Sequence, residues 1–368
     1  MERGGLVKAS RAWERVAKGH VRTLGVGLFA GIVALTVTVA APAVQASAPK
    51  GLKLNSRGIP NLHGVSVPLG KGAGAPHVGD AVTYTAEQLL KSWGANTSLT
   101  LGEGPAVVAG VVGGHLVATG GPFTAEINGG LVLFGPSQPA EDYEFIVARG
   151  INNYAQLKGK VVAVSAPGVG DAVLTSVLLK KEHLTGKVTI EYTGSATNSV
   201  AAFIGGRVAA FWTNSTSAVA MTQKKVYYKP MISARLLLPA EADSYEAAKS
   251  SWLRTNFADA EAIDLAWLYA SRIFNTNEAL WLKYAAGYTG HSVPVVQMKL
   301  AYQAYKREQL FPDNASAFTK ANIKANYDLA EKTGTLDKQY RSKPESAYAF
   351  VKAWETAVKI FDAHPKTY

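Results

Sequence analysis

Leu157-Lys-Gly-Lys160 leads into Val161-Val-Ala-Val-Ser165, then Ala166-Pro-Gly-Val-Gly-Asp171 and a helical run to Lys181. Val188-Thr-Ile-Glu-Tyr192 follows, then a small-residue loop, a helix ending at Gly205-Gly206, and Val208-Ala-Ala-Phe-Trp212. The order is strand, loop, helix, strand, loop, helix, strand, the repeating unit of an α/β layer architecture. Val161–Val164 is continuously apolar, as a strand buried on both faces should be. Gly168 and Gly170 let backbone approach a ligand closely. A helix starting at Asp171 or Ser165 turns its free N–H groups and positive end into that loop, an arrangement that receives an anion or a polar group. The loop lacks a Gly-Lys-Ser/Thr ending and is not Gly-x-Gly-x-x-Gly, which argues against a nucleotide. The same glycines also suit a plain strand-to-helix joint that needs only a tight turn.

Upstream the pattern repeats in weaker form. Val65–Gly70 reads as a first strand, and Lys71–His77 as a Gly/Pro loop. Asp80 is placed to cap a helix running to Trp93, with Gly94 closing it. Ser98–Leu101 and Leu116–Thr119 read as strands, each followed by a Gly-containing turn and a helix. The joints at 102–105 and 120–122 lie at strand carboxyl ends, where open α/β sheets place ligands. Leu131–Phe134 and Tyr143–Ala148 are further strands. Downstream of Arg235, residues 242–256, 259–274 and 276–286 carry apolar residues at helical spacing, and helices are expected at 294–310, 317–333 and 345–363. The aromatic stripe from Trp252 to Tyr288 reads mainly as core packing.

With 368 residues the chain can build two domains with real cores, and its 48% hydrophobic and 18% charged content is globular. The absence of cysteine removes disulfides, thiolate metal sites, a Cys nucleophile and a lipid-modified Cys. Residues 1–46 hold six Lys/Arg and two acids, a charge of +4, which leaves +7 of the chain's +11 for the remainder. That surplus serves solubility and suits an anionic ligand or surface. A basic region ending at Arg22, an apolar run Leu24–Ala41 and the small-x-small Val44-Gln-Ala46 read as a signal peptide cut after Ala46. An uncleaved anchor is the alternative, because 18 residues just span a bilayer. Either way the bulk of the chain is expected to be exported, to the periplasm or extracytoplasmic surface, without a lipobox Cys.

Gly150-Ile-Asn-Asn-Tyr-Ala-Gln-Leu157-Lys-Gly-Lys160-Val-Val-Ala-Val-Ser165, with Gly168 and the helix after it, resembles the second-domain opening of ABC-importer substrate-binding proteins. The group is the sulfonate, nitrate and taurine type, which includes thiamine-pyrimidine-like binders. Val200-Ala-Ala-Phe-Ile-Gly205-Gly-Arg207-Val-Ala-Ala210 resembles a further element of that family, with Ala209 where the family has Asp. Phe257–Leu280 and Asn326–Asp337 resemble its later helices, and 341–368 is an extension.

The resemblance implies an α/β, two-lobe periplasmic binding protein of type II-like fold with a helical C-terminal extension. Residues 1–46 are the signal peptide, 47–149 plus 235–368 a discontinuous first lobe, and 150–234 the second. The pocket it implies is lined by Gly102, Glu103 and Gly120 from one lobe. From the other come Ser165, Gly168, Val169, Gly170, Thr193, Ser195, Trp212, Thr213 and Asn214, with Lys71 and His77 as weaker candidates. Trp212 is favoured as a stacking wall, inter-domain packing being the other reading of its position. Glu103, if it faces the cleft, implies a ligand that carries a donor or a cation. The implied partners are a small-molecule solute and the transmembrane subunits of an ABC permease. The protein is expected to act as a monomer, with no cofactor, no nucleic acid, no metal and no catalytic residue. The histidines show no metal-ligand spacing, and there is no Gly-x-Ser-x-Gly elbow. A secreted enzyme on the same fold and a binding subunit feeding a sensor are the rival readings.

Overall fold

The structure is a computed structural model and describes residues 51–72, 78–102, 104–139, 142–167, 169–214, 217–218, 221–222, 224–238, 242 and 244–366. The expected signal peptide therefore lies outside the described residues, as do Glu103, Gly168 and His77. In chain order the elements are β1 (Ser66–Gly72), α1 (Ala81–Ser92), β2 (Asn96–Gly102), α2 (Gly104–Gly113), β3 (Ala118–Gly121), α3 (Phe123–Asn128), β4 (Val132–Gln138) and β5 (Tyr143–Val147). They continue with β6 (Val161–Val164), α4 (Gly170–Lys181), β7 (Thr189–Tyr192), α5 (Ala196–Ile204), β8 (Ala210–Asn214), β9 (Lys229–Ser233), α6 (Ala234–Leu237) and β10 (Ser244–Ala248). The chain ends in helices α7 (Ser250–Thr255), α8 (Phe257–Thr276), α9 (Glu278–Tyr288), α10 (Val295–Glu308), α11 (Lys320–Thr333) and α12 (Lys352–Ala363).

The strands form two five-stranded sheets, ordered β2-β1-β3-β10-β4 and β7-β6-β8-β5-β9. In the first, β1 runs parallel to β2 and β3, and β10 runs antiparallel between β3 and β4. In the second, β6 runs parallel to β7 and β8, and β5 runs antiparallel between β8 and β9. Both sheets are therefore mixed. The opening stretch forms the β6-α4-β7-α5-β8 unit as read. β5 belongs to the second sheet although it precedes residue 150.

Residues 242–256 were expected to be helical, and 244–248 are instead strand β10. Ser244-Tyr-Glu-Ala-Ala248 has helix-favouring residues, but a vacant slot between β3 and β4 offers it two ladders of hydrogen bonds and full burial. Tertiary pairing of that kind overrides local preference. Only 250–255 of the expected helix remains helical.

Each sheet has its own core. In the first, Val67, Leu69, Leu133 and Phe134 of the sheet meet α1, α8 and α12. The aromatic stripe packs here as expected: Trp267, Tyr269, Phe274 and Trp281 are buried. In the second, Val162, Phe145 and Trp212 face Leu174 and Leu178 of α4, while Ala163, Ile146 and Phe211 face Phe203 of α5. The alternation of β8 residues 211 and 212 between these clusters follows from the two-residue period of a strand. Among the described residues no helix is long and apolar enough to cross a membrane.

Candidate functional site

The chain crosses between the two sheets at their carboxyl ends. β4 leaves the first sheet at its carboxyl end, Gln138, and the chain enters β5 at Tyr143, which pairs with Asn214 at the carboxyl end of β8. Five residues of chain reach at most about 17 Å. The return path leaves β9 at Ser233, passes through α6 and enters β10 at Ser244, which pairs with Gln138. Both crossings thus join carboxyl end to carboxyl end. Arg235 of α6 also donates to the carbonyls of Glu308 and Gln309 at the end of α10, a further link beside the two crossings.

In the second sheet, Ser165 follows β6. Its N–H donates to Asp171 Oδ2 at 2.7 Å and its hydroxyl to the same oxygen at 2.6 Å. Burial pushes the Asp171 carboxyl up, while the Ser165 bonds and the backbone N–H groups of Ala172 and Asp171 pull it down. Val169 is the N-cap of α4, accepting from the N–H of Ala172 and Val173 through its carbonyl, and Gly170 begins the helix. Thr193 Oγ1 lies within hydrogen-bonding distance of the carbonyls of Val164 and Ser195 and of Ser199 Oγ. Ser195 caps α5 by accepting from Asn198 N–H at 3.2 Å. Asn214 Oδ1 accepts from Ser217 N–H at 2.8 Å. Thr213 is buried, with Oγ1 3.4 Å from the Asn214 carbonyl.

Trp212 does not stand as a wall. Its side chain is 2% exposed and its ring lies 5.2 Å from that of Phe145, its cross-strand partner, inside the second-sheet core. The indole Nε1 is buried without a hydrogen-bond partner. Trp212 is the middle residue of β8, on the face of that strand that α4 covers.

In the first sheet, Gly102 ends β2 opposite Gly72 of β1. Gly120 is the second member of a cross-strand row, Lys71–Gly120–Glu246–Gly135, which runs over β1, β3, β10 and β4. Paired residues share a face, so the two glycines open the space that the long charged side chains fill. A Cβ at Gly120 would lie 2.2 Å from Ser137 Oγ and 3.1 Å from Glu246 Oε1, and one at Gly135 would lie 1.8 Å from Asp264 Oδ1. Lys71 Nζ donates to Ser244 Oγ at 2.8 Å and Ser137 Oγ at 3.0 Å, and pairs with Asp80 Oδ1 at 3.5 Å. Ser137 and Ser244 stand at the roots of the two crossings, so one buried ammonium ties both. Burial pushes the Glu246 carboxyl up to about 7, against Lys71 and the Ser137 hydrogen bond, which lower it.

The structure thus gathers Ser165, Val169, Gly170, Thr193, Ser195 and Asn214 at the carboxyl ends of one sheet, and Gly102 and Gly120 at those of the other. It moves Trp212 into the core. Sequence reasoning missed Asp171 as an acceptor, Glu126, and the Lys71–Glu246 row. A charged residue inside an otherwise small and apolar strand, as in Ser244–Ala248, is the signal that marks such a row, and the helical spacing of the surrounding residues hides it. Among the described residues no group of three or more His, Asp or Glu is arranged to hold a metal ion.

No family profile matches the chain, and no curated protein matches it by sequence. Solved structures do match it. The periplasmic aliphatic sulphonate binding protein SsuA of Escherichia coli is 17% identical with a TM-score of 0.59, over 76% of this chain and 92% of that one. The periplasmic nitrate-binding protein NrtA of Synechocystis PCC 6803 is 10% identical with a TM-score of 0.61, over 85% and 91%. A Candida albicans protein described as having the generic periplasmic binding protein fold is 12% identical with a TM-score of 0.57, over 81% and 95%. Two mixed α/β sheets joined at their carboxyl ends by two crossings, with these neighbours, give the chain the periplasmic binding protein fold.

Proposed function

We propose that the protein is an extracytoplasmic solute-binding protein that captures a small polar organic or anionic solute between its two sheets and delivers it to an ABC permease. The observation that supports this reading is the pair of crossings between β4 and β5 and between β9 and β10, which join the two sheets carboxyl end to carboxyl end. Two packed bodies joined by two chain crossings close on a ligand by hinge motion. The lobe divide of this proposal falls in those crossings. Residues 1–46 are the export signal, and capture proceeds without covalent chemistry. The resemblance of the β6-α4 stretch to importer binding proteins, and solved neighbours described as binding sulphonate and nitrate, support the reading.

A panel of sulfonates, nitrate, taurine, pyrimidines and aromatic acids tests it by thermal shift. A bound ligand raises stability by mass action, about 2.7 kcal/mol at a hundred times Kd. At least one compound is expected to raise Tm without being consumed. Turnover of a compound with no shift from any overturns the reading.

A further inference from the structure

Helix α10 is apolar on two sides, and only one of them is covered. Met298, Ala301, Tyr302 and Tyr305 are buried in the core of the first sheet. On the outer arc Val295 is 56% exposed, Val296 63% and Leu300 48%. Val295 and Lys299 are four residues apart, as are Val296 and Leu300, and Val296 and Lys299 are three apart. These four side chains are therefore neighbours on the helix surface. An exposed apolar residue standing alone is ordinary, whereas a contiguous group marks a contact surface.

The charge around the group has one sign. From Ala279 to Arg307 the chain has no Asp or Glu, and it carries Lys283, Lys299, Lys306 and Arg307. At the far end of α10, Lys306 is held by Asn275, and Arg307 pairs with Glu308 at 3.6 Å. Lys299 is exposed within the apolar group, and Lys283 is exposed on the neighbouring α9. Among the described residues neither pairs with a carboxylate. Asp80, in the short turn 78–80 that packs on α10, is buried and paired with Lys71. Such a surface fits a bilayer with anionic headgroups. The apolar side chains enter the acyl boundary, and the lysine stems lie along them with their ammonium groups at the phosphates.

We propose that the first half of α10, through Val295, Val296, Lys299 and Leu300, docks on an anionic lipid bilayer. This goes beyond the solute-binding reading and does not rest on it.

The chain has no cysteine, so an introduced one reports a single site. Leu300→Cys is labelled with an environment-sensitive fluorophore and mixed with vesicles of phosphatidylglycerol and phosphatidylcholine, or of phosphatidylcholine alone. Val112→Cys and Ile204→Cys, at positions as exposed as Leu300, are labelled as controls. The label at 300 is expected to shift to the blue with the anionic vesicles only, and the controls to stay unshifted. In the Leu300-labelled chain, Val296→Asp is expected to raise the lipid concentration for half the shift about tenfold or more. Lys299→Glu is expected to raise it about fivefold or more. Circular dichroism checks both folds, and either variant suffices if the other fails to fold. No shift at 300 overturns the inference, as does an equal shift at the controls or with phosphatidylcholine alone. A shift undiminished in a folded variant also overturns it. So does a shift that grows with protein concentration in the absence of vesicles, which gives the face to a second copy of the chain.

Discussion

Lys71→Met keeps an unbranched side chain, one atom shorter, and removes its ammonium. The residue is 2% exposed, and its Nζ holds Ser137, Ser244 and Asp80. Removing one partner of a buried ion pair leaves an uncompensated charge and costs about 3–5 kcal/mol. Glu246 makes that cost depend on pH. The charged groups that act on it or feel it are Lys71 on β1, Glu126 on α3 and Asp264 on α8, and only Lys71 favours its ionised form.

The folded carboxyl is raised from 4.5 to about 7. A raised value means that Glu246's contribution to stability is complete below its unfolded value and is lost as pH climbs through the folded one. The gap corresponds to roughly 3 kcal/mol lost across that window. Without Lys71 the folded value rises further, so the Glu246 contribution goes on falling above pH 7 in the variant where in the wild type it has levelled. Urea unfolding followed by fluorescence is expected to show Lys71→Met less stable by about 3–5 kcal/mol at pH 8 and by roughly half that at pH 5. Equal losses at the two pH values would refute the coupling to Glu246. A loss below about 1 kcal/mol at pH 8 would refute the ion-pair account itself.

Two further outcomes follow from buried groups. Trp212→Ala opens a cavity beside Phe145 and is expected to cost about 3–5 kcal/mol, read as a lower Tm of the ligand-free protein; an unchanged Tm would return the ring to a surface. Asp264 is buried with neither oxygen hydrogen-bonded, and burial first, then Glu246 and Glu261, hold its carboxyl well above the ordinary range. Wild-type stability therefore declines with rising pH through this group. Asp264→Asn is expected to flatten the decline above the ordinary Asp range, measured by urea unfolding at each pH; parallel slopes would contradict it.

Much of the fold was legible in the residues. The β6-α4-β7-α5-β8 unit was readable because an apolar run, a glycine-bearing loop and helical periodicity are all local signals. Gly94 closed α1 as expected, with φ +98, a conformation that an L side chain rarely adopts. The aromatic stripe of the C-terminal helices was readable as core, since large apolar rings at helical spacing need a place to be buried.

Three features were decided only in the tertiary structure. β10 took a slot between β3 and β4 that two strands distant in sequence create, and its own residues prefer a helix. Trp212 turned inward because α4 covers that face of β8, and a strand's period alone does not say which face is covered. The loop after β6 offers donors by its sequence, and Asp171 folds back to take two of them, the N–H and hydroxyl of Ser165. Composition and period determine which segments become strands and helices. The side-chain bonds that decide whether a strand end offers donors or acceptors form only when residues such as Gly121 and Glu126, or Ser165 and Asp171, are brought to one point by the packing of a helix on its sheet.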